Sequence, residues 1–381
     1  MSKYIERAIK EAFLKKMIPN KVIVLLGARR VGKTSFVKHF VESNIKEPFV
    51  ELDGEDMSTV EVLKQRTVEN YKRLIGKSNI LIIDEAQKIP DIGQILKLMV
   101  DKIEGIKIIA TGSSMFDLTN QLGEPLTGRK FTFKLYPLAQ MEYSQEENII
   151  QTKSKLEERL IFGNYPEIIN YESNQDKTGY LNELVNSYLL KDILEYDGIK
   201  NSSKMINLLR LIAFQIGKEV SIEELGKQLG ISRNTVEKYM DLLSKVFVIY
   251  KLSGFSRNLR KEITKTSRWY FYDNGIRNAL IANFNPISLR NDIGELWENY
   301  LISERIKFQH YTGMTVNNYF WRTYEQQEID WVEEREGNLF AYEIKWNENK
   351  KSKIPSAWKD SYPESEYIVI NQTNYLDWLL K

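Results

Sequence analysis

A chain of 381 residues, 42% hydrophobic and 28% charged, has the makeup of a soluble globular protein and the length for roughly two or three domains. Its net charge of +2 excludes a global basic field, so any nucleic-acid affinity must come from local patches. With no cysteine and only His39 and His310 as histidines, disulfides, thiol nucleophiles and Cys/His zinc sites are excluded.

In chain order, Tyr4, Ile5, Ala8, Ile9, Ala12, Phe13 and Met17 are spaced like one helical face over 4–17, and Pro19-Asn20 ends it. Lys21 to Leu26 reads as a strand. Gly27-Ala28-Arg29-Arg30-Val31-Gly32-Lys33-Thr34, followed by Ser35, then fits the phosphate-loop pattern G-x-x-x-x-G-K-[ST], and Ser35 to Val41 reads as the helix that follows. This order suits a nucleotide triphosphate. Glycines let backbone N–H groups close around phosphate, and the helix N-terminus adds its positive end. Lys33 is expected to reach the β- and γ-phosphates and Thr34 to place its hydroxyl on Mg²⁺.

Pro48 to Asp53 is a second expected strand. Ile80-Leu81-Ile82-Ile83 is an apolar strand that ends in Asp84 and Glu85. Taken alone, it could be a buried strand leaving into an acidic turn. Behind a phosphate loop, Asp84 is expected to hold Mg²⁺ through water and Glu85 to polarise the attacking water. A strand over Ile106 to Ala110 ends in Thr111, the first choice for a hydroxyl that senses the γ-phosphate, with Ser113 the second. Ser113 or Ser114 could equally cap a helix through Met115 to Leu118. Arg129, in Leu126-Thr127-Gly128-Arg129-Lys130 before a last strand at Phe131 to Leu135, is placed for an arginine finger, in cis or on a neighbour's nucleotide; the alternative is a surface arginine.

The set GARRVGKT, ILIIDEAQ, ATGSS, LTGR and KLYPLAQMEY resembles the AAA-type P-loop ATPases of archaea and bacteria whose C-terminal half is a domain of unknown function. The resemblance runs the length of the chain. It implies a five-stranded parallel sheet between helices, nucleotide on Gly27, Gly32, Lys33 and Thr34, and metal and water on Asp84 and Glu85.

Residues 141–200 read as a helical lid and connector, broken at Pro166. Leu181, Leu184, Val185, Tyr188, Leu189, Asp192 and Ile193 keep a helical period up to Asp197-Gly198. Ser221 is expected to cap the next helix, with Glu224 completing a capping box. Leu225 and Leu229 pack, Gly230 turns the chain, and Ser232 caps a second helix. This is a helix-turn-helix, and Val246 to Tyr250 suggests a wing strand. The second helix offers Arg233, Asn234, Lys238 and Lys245 but also Glu237 and Asp241. Beyond it Lys251, Arg257, Arg260, Lys261, Lys265 and Arg268 face only Glu262, an excess suited to DNA phosphates. A structural or subunit-contact role is the alternative.

A helix over 294–308 carries Glu298. Strands are expected at Tyr319 to Arg322, Glu328 to Glu333 and Leu339 to Trp346, with a hairpin turn at Arg335-Glu336-Gly337-Asn338. Alternation puts Asp330, Glu343 and Lys345 on one face. A four-residue loop sets Asp330 opposite Glu343, and a two-residue turn is expected to set it opposite Lys345. Facing carboxylates repel unless a cation lies between them. Asp330 followed by E-x-K, with Glu298 on a preceding helix, resembles the PD-(D/E)xK nuclease superfamily and most of all the archaeal Holliday junction resolvases. That resemblance implies Mg²⁺ or Mn²⁺ on Asp330 and Glu343, assisted by Glu298, with Lys345 orienting water or stabilising charge. Asp330 follows Glu328-Ile329 where the motif has a proline. Lys350, Lys351 and Lys353 could hold a phosphate backbone.

The expectation is therefore an α/β protein: an AAA-type core over 1–140, a helical lid over 141–200, a winged helix and basic linker over 201–290, and a nuclease-like domain over 291–381. Its expected function is ATP hydrolysis, with Mg²⁺, coupled to action on duplex or branched DNA that the C-terminal domain binds or cuts, in a homo-oligomer. The alternatives are an ATP-dependent switch that binds a protein partner and a DNA-binding regulator without nuclease activity. No apolar run reaches membrane-spanning length, and the charged start (Lys3, Glu6, Arg7, Lys10, Glu11) lacks a secretory core, so a cytoplasmic protein is expected.

Overall fold

The computed structural model describes residues 4–113, 125–189, 202–257, 266–350 and 352–381. Ser114, Met115 to Leu118, Asp192, Ile193, Asp197-Gly198, Arg260 to Glu262, Lys265 and Lys351, all named above, lie outside them. The chain forms two compact units: residues 6–137 with 245–247, and residues 1–5, 138–244 and 248–381.

The first unit is a five-stranded parallel sheet in the order β2-β3-β4-β1-β5. Its strands are β1 (Lys21–Leu26), β2 (Phe49–Asp53), β3 (Ile80–Asp84), β4 (Lys107–Gly112) and β5 (Lys130–Lys134). β1, β3 and β4 are near-continuous apolar runs because helices cover both faces of a parallel sheet; Val22 to Leu26 and Ile80 to Ile83 are all buried. β2, at one edge, alternates in burial. The helix expected over 4–17 is shorter, Lys10–Lys15. Ahead of it the buried Arg7 guanidinium donates to the carbonyls of Val31 and Tyr136, which holds that segment out of a helix. Phe13 is the helix's anchor, with ring centroids 5.2 Å from Phe36 and 4.9 Å from Phe40.

The order of strands decides where chemistry can sit. β4 lies between β1 and β3, and register pairs Leu25 with Thr111 and Ile83 with Ala110. The carboxyl ends of three neighbouring strands therefore bring the phosphate loop, Thr111 and Asp84 to one edge, where ligands bind in open α/β sheets.

The second unit holds a six-stranded sheet, β11-β10-β9-β8-β6-β7. It consists of β6 (Ile249–Gly254), β7 (Ser267–Phe271), β8 (Asn317–Arg322), β9 (Glu328–Arg335), β10 (Asn338–Ile344) and β11 (Glu366–Ile370). The expected wing strand begins at Ile249, three residues late. β6 pairs antiparallel with β7 and parallel with β8, so the strands after the helix-turn-helix extend the C-terminal sheet. The boundary expected at 290 thus crosses a continuous sheet. Helices between 141 and 183 belong to this unit as well: Asn278 Nδ2 donates to the carbonyls of Leu160 and Ile161, and Asp273 accepts the Asn164 amide at 2.7 Å. They are fastened to the C-terminal half by these bonds.

The helix-turn-helix is present. Ser221 caps the helix Ile222–Leu229, Gly230 turns in the left-handed region, and Ser232 caps the helix Arg233–Lys245. The capping box is half made, because the Glu224 carboxylate accepts from Gln228 one turn on.

Candidate active site

In the phosphate loop, Gly32 takes φ 92°, which glycine adopts without a steric penalty, and opens the helix Lys33–Asn44. Lys33 is buried. Its ammonium donates to the carbonyls of Gly27 and Ala28 at 2.9 and 3.1 Å, so the charge is already held inside the loop. Thr34 and Ser35 are exposed at the helix start, whereas the side chains of Ala28 and Val31 are buried and only their backbone can meet a phosphate. Arg29 is partly buried and Arg30 is exposed, with φ 64°.

Facing the loop, Thr34 Oγ1 donates to Asp84 Oδ2 at 2.7 Å, and the Thr111 hydroxyl donates to Asp84 Oδ1. Three expected residues from three elements thus meet on one carboxylate. A hydroxyl and a carboxylate oxygen converging at the start of the helix are the hard oxygen donors that Mg²⁺ takes, so these residues fit that ion. Glu85 follows with φ 46°, and its amide donates to Asp84 Oδ1 and Thr111 Oγ1, each at 3.2 Å. Gly54, just past β2, makes room for it: a Cβ there would overlap the Glu85 carbonyl oxygen. Gly54 and Gln87, whose amide touches the Glu85 carboxylate, were not singled out from sequence, although Gln87 stands in the quoted run ILIIDEAQ.

Arg129 is elsewhere. It precedes β5, and Val22 at the start of β1 pairs with Lys130, so Arg129 lies at the amino edge of the sheet. The six residues of β1 separate that edge from the phosphate loop by about 17 Å. There its guanidinium pairs with Asp101 at 2.6 Å. The expected finger in cis is thereby corrected: the parallel register puts loop and arginine at opposite ends.

The C-terminal residues also come together. β9 and β10 join through the two-residue turn Glu336-Gly337, with Arg335 paired to Asn338 and Trp331 to Tyr342, so the next step sets Asp330 opposite Glu343. The expectation that a two-residue turn would oppose Asp330 to Lys345 is wrong, because five steps down each strand from Arg335 and Asn338 lead to Asp330 and Glu343. Lys345 pairs with Glu343 at 2.5 Å and lies 3.8 Å from Asp330. Arg268, buried on β7, reaches Asp330 at 3.5 Å and Glu328 at 2.6 Å. Ile344 donates its amide to Asp330 Oδ2 at 2.9 Å.

Glu298 is placed by its neighbour Asn299, whose carboxamide bonds to both the N–H and the C=O of Phe271 and fastens its helix to β7. Tyr270 on that strand then donates its hydroxyl to Glu298 Oε1 at 2.7 Å. Burial, followed by the Asp330 charge, raises the Glu298 carboxyl to about 8. The same two causes raise Glu343 to about 7. Burial opposes the Lys345 charge, but Asp330 and Glu343 outweigh it and raise that group.

Among the described residues, no group of three or more carboxylates or imidazoles is arranged to hold a metal ion. In this cluster Arg268 and Lys345 stand within ion-pair reach of Asp330 and Glu343 and supply the positive charge that the expected Mg²⁺ or Mn²⁺ would bring. The residues do not fit a divalent cation as arranged. Sequence reasoning had counted Arg268 as a phosphate contact and had passed over Tyr270.

A phosphate loop after β1, an acidic pair after β3 and a hydroxyl from the strand between them are the parts of an AAA-type P-loop ATPase. Residues 19–144 match the family model of the AAA domain, residues 153–287 a domain of unknown function (DUF8612), and residues 293–378 a domain of unknown function (DUF4143). Among relatives, the uncharacterized protein Rv2008c of Mycobacterium tuberculosis is 25% identical over 346 residues, 90% of this chain and 74% of that protein. The uncharacterized protein MJ1544 of Methanocaldococcus jannaschii is 25% identical over 378 residues, 93% of this chain and 82% of that protein. Among solved structures, a signal transduction ATPase with numerous domains and a tetratricopeptide repeat sensor, from Pyrococcus horikoshii, overlaps 82% of this chain and 48% of its own, with 13% identity. Its TM-score of 0.32 is too loose to bear on function. Among the described residues no helix is long and apolar enough to cross a membrane.

Proposed function

We propose that the protein hydrolyses ATP in its AAA-type unit to drive or gate an action on DNA, and that the second unit contacts duplex or branched DNA without cutting it. Lys33 neutralises charge on the β- and γ-phosphates, Thr34 and Asp84 would hold Mg²⁺, and Glu85 takes a proton from the attacking water. When bound there, Mg²⁺ would supply positive charge against the charge that develops between the phosphates. Thr111 keeps Asp84 aimed at the nucleotide.

The DNA part rests above all on the helix-turn-helix, whose second helix exposes Ser232, Arg233, Asn234 and Lys238 at its start, the end that enters a major groove. Lys251, Arg257, Lys350 and Lys353 are exposed and suited to phosphates. Binding without cutting follows from the resident cations Arg268 and Lys345. A homo-oligomer would give Arg129 the catalytic use that its place denies it within one chain, and sedimentation of the ATP-bound protein reports such assembly. A cytoplasmic setting agrees with the lack of cysteine.

One observation favours the rival reading of an ATP-dependent switch with a protein partner. Arg233 is paired with both Glu223 at 2.6 Å and Glu237 at 2.9 Å, which neutralises the leading cation of the recognition helix.

The test is fluorescence anisotropy with duplex and four-way-junction DNA at 50 and 200 mM salt, on wild type and an Arg233→Ala, Asn234→Ala, Lys238→Ala variant. Steep loss of binding with salt, and about ten-fold weaker binding by the variant, are expected. Salt-independent or absent binding moves the function to the protein switch. Gels run with Mg²⁺ or Mn²⁺ are expected to show intact DNA, and cutting that disappears in Asp330→Ala would overturn the binding-only role.

A further inference from the structure

Glu85 is held from several sides. A left-handed backbone at a residue other than glycine persists only where its surroundings impose it. Its amide is fixed by Asp84 and Thr111, while its carboxylate accepts a 2.5 Å bond from Gln87 Nε2. The same nitrogen donates to Ser113 Oγ at 3.1 Å, on the buried residue just past β4. An ionised carboxylate can only accept, so this contact determines which end of the Gln87 carboxamide is nitrogen. The other end, Oε1, is a buried acceptor with no hydrogen-bond partner among the described residues. Such an acceptor is costly to leave dry, and a water or a bound group is the partner that would satisfy it.

We propose that Gln87 positions both the base and the water in hydrolysis. Its amide nitrogen clamps Glu85 to the end of β4 through Ser113, and its Oε1 accepts a hydrogen bond from the attacking water. This rests on the reading of Glu85 as the group that takes the water's proton. In the step itself the water oxygen bonds to the γ-phosphorus as the bond from that phosphorus to the ADP oxygen breaks. One water proton passes to Glu85, and the other stays on the new phosphate oxygen, where Gln87 Oε1 has aligned it.

The experiment is steady-state ATP hydrolysis by the full chain as wild type, Gln87→Leu, Gln87→Glu, Ser113→Ala and Glu85→Gln, with nucleotide affinity measured separately by a fluorescent ATP analogue. Gln87→Leu keeps the bulk but no polar group. It is expected to lower kcat about ten-fold or more, with KM and affinity within about two-fold of wild type. Ser113→Ala removes one of two acceptors and lowers kcat less. Gln87→Glu sets a second carboxylate against Glu85, so the acid limb of the pH–rate profile moves to higher pH. A Gln87→Leu enzyme with unchanged kcat overturns the proposal, and so does one whose nucleotide affinity falls in step with kcat, the mark of a merely structural residue. Glu85→Gln separates the two levels of inference. If it turns over at the wild-type rate, the role of Glu85 fails and takes this one with it. If it is inactive while Gln87→Leu is unaffected, the role of Gln87 alone is rejected.

Discussion

Replacing Glu298 by glutamine should stabilise the protein at alkaline pH and leave it unchanged at acid pH. Glu298 is held near 8 by burial first and by the Asp330 charge second, against an ordinary value of 4.5. Between those values the native state carries a proton that the unfolded chain has released. Stability from this group is therefore full below about 4.5 and is lost as the pH rises through about 8. Each pH unit in that window is worth at most about 1.4 kcal/mol. Solvent still reaches Glu298 in part, and it shares Asp330 with Glu343, so ~2 kcal/mol is a reasonable total. Glutamine keeps an oxygen to accept the Tyr270 hydroxyl. Thermal melts of wild type and Glu298→Gln at about pH 4 and at pH 8.5 are expected to coincide at the lower pH, which lies below both values. At the higher pH the variant should melt about 5 °C later, given the usual response of a unit this size. A variant less stable than wild type at pH 8.5 would mean that ionised Glu298 supports the fold through Arg268, and would refute the assignment of a raised carboxyl.

Three other outcomes follow from the geometry. Gly54→Ala pushes a Cβ onto the Glu85 carbonyl and should lower kcat about ten-fold while nucleotide affinity, set at the phosphate loop, is kept; turnover and binding measured side by side check this. Arg129→Ala should leave basal ATP turnover at the wild-type rate at concentrations where the protein is monomeric, because its partner is Asp101 at the far edge of the sheet. Glu333→Ala strands the buried Arg305, now held by bonds of 2.6 and 2.9 Å, and should destabilise the second unit by about 3–5 kcal/mol in urea unfolding.

The phosphate loop, the acidic pair and Thr111 were legible because local order alone dictates them: an apolar strand, then glycines or carboxylates, then a helix or turn. Parallel register did the rest, and it set the Thr111 hydroxyl on Asp84, a contact that the expected role of sensing the γ-phosphate did not include. Arg129 was misread in its cis form because sequence order says nothing about which end of a strand a loop occupies. Asp330, Glu343 and Lys345 were placed on one face by period-two alternation, and that held. Arg268 and Tyr270 escaped because their strand meets the cluster through Glu298 and Asp330, contacts made across the fold. The continuation of the wing strands into the C-terminal sheet escaped for a related reason. A strand's own residues do not say that Ser253 and Gly254 will pair with Tyr319 and Phe320 and so merge two expected domains.

The most direct test of DNA-directed ATP hydrolysis is turnover by the purified full chain, with Mg²⁺, in the absence and presence of duplex, single-stranded and four-way-junction DNA, with Lys33→Ala as the control. Hydrolysis that rises several-fold with one DNA form and vanishes in Lys33→Ala is the predicted result. Hydrolysis that is lost in Lys33→Ala but indifferent to every DNA would contradict the DNA-directed role and leave an ATP-dependent switch in its place.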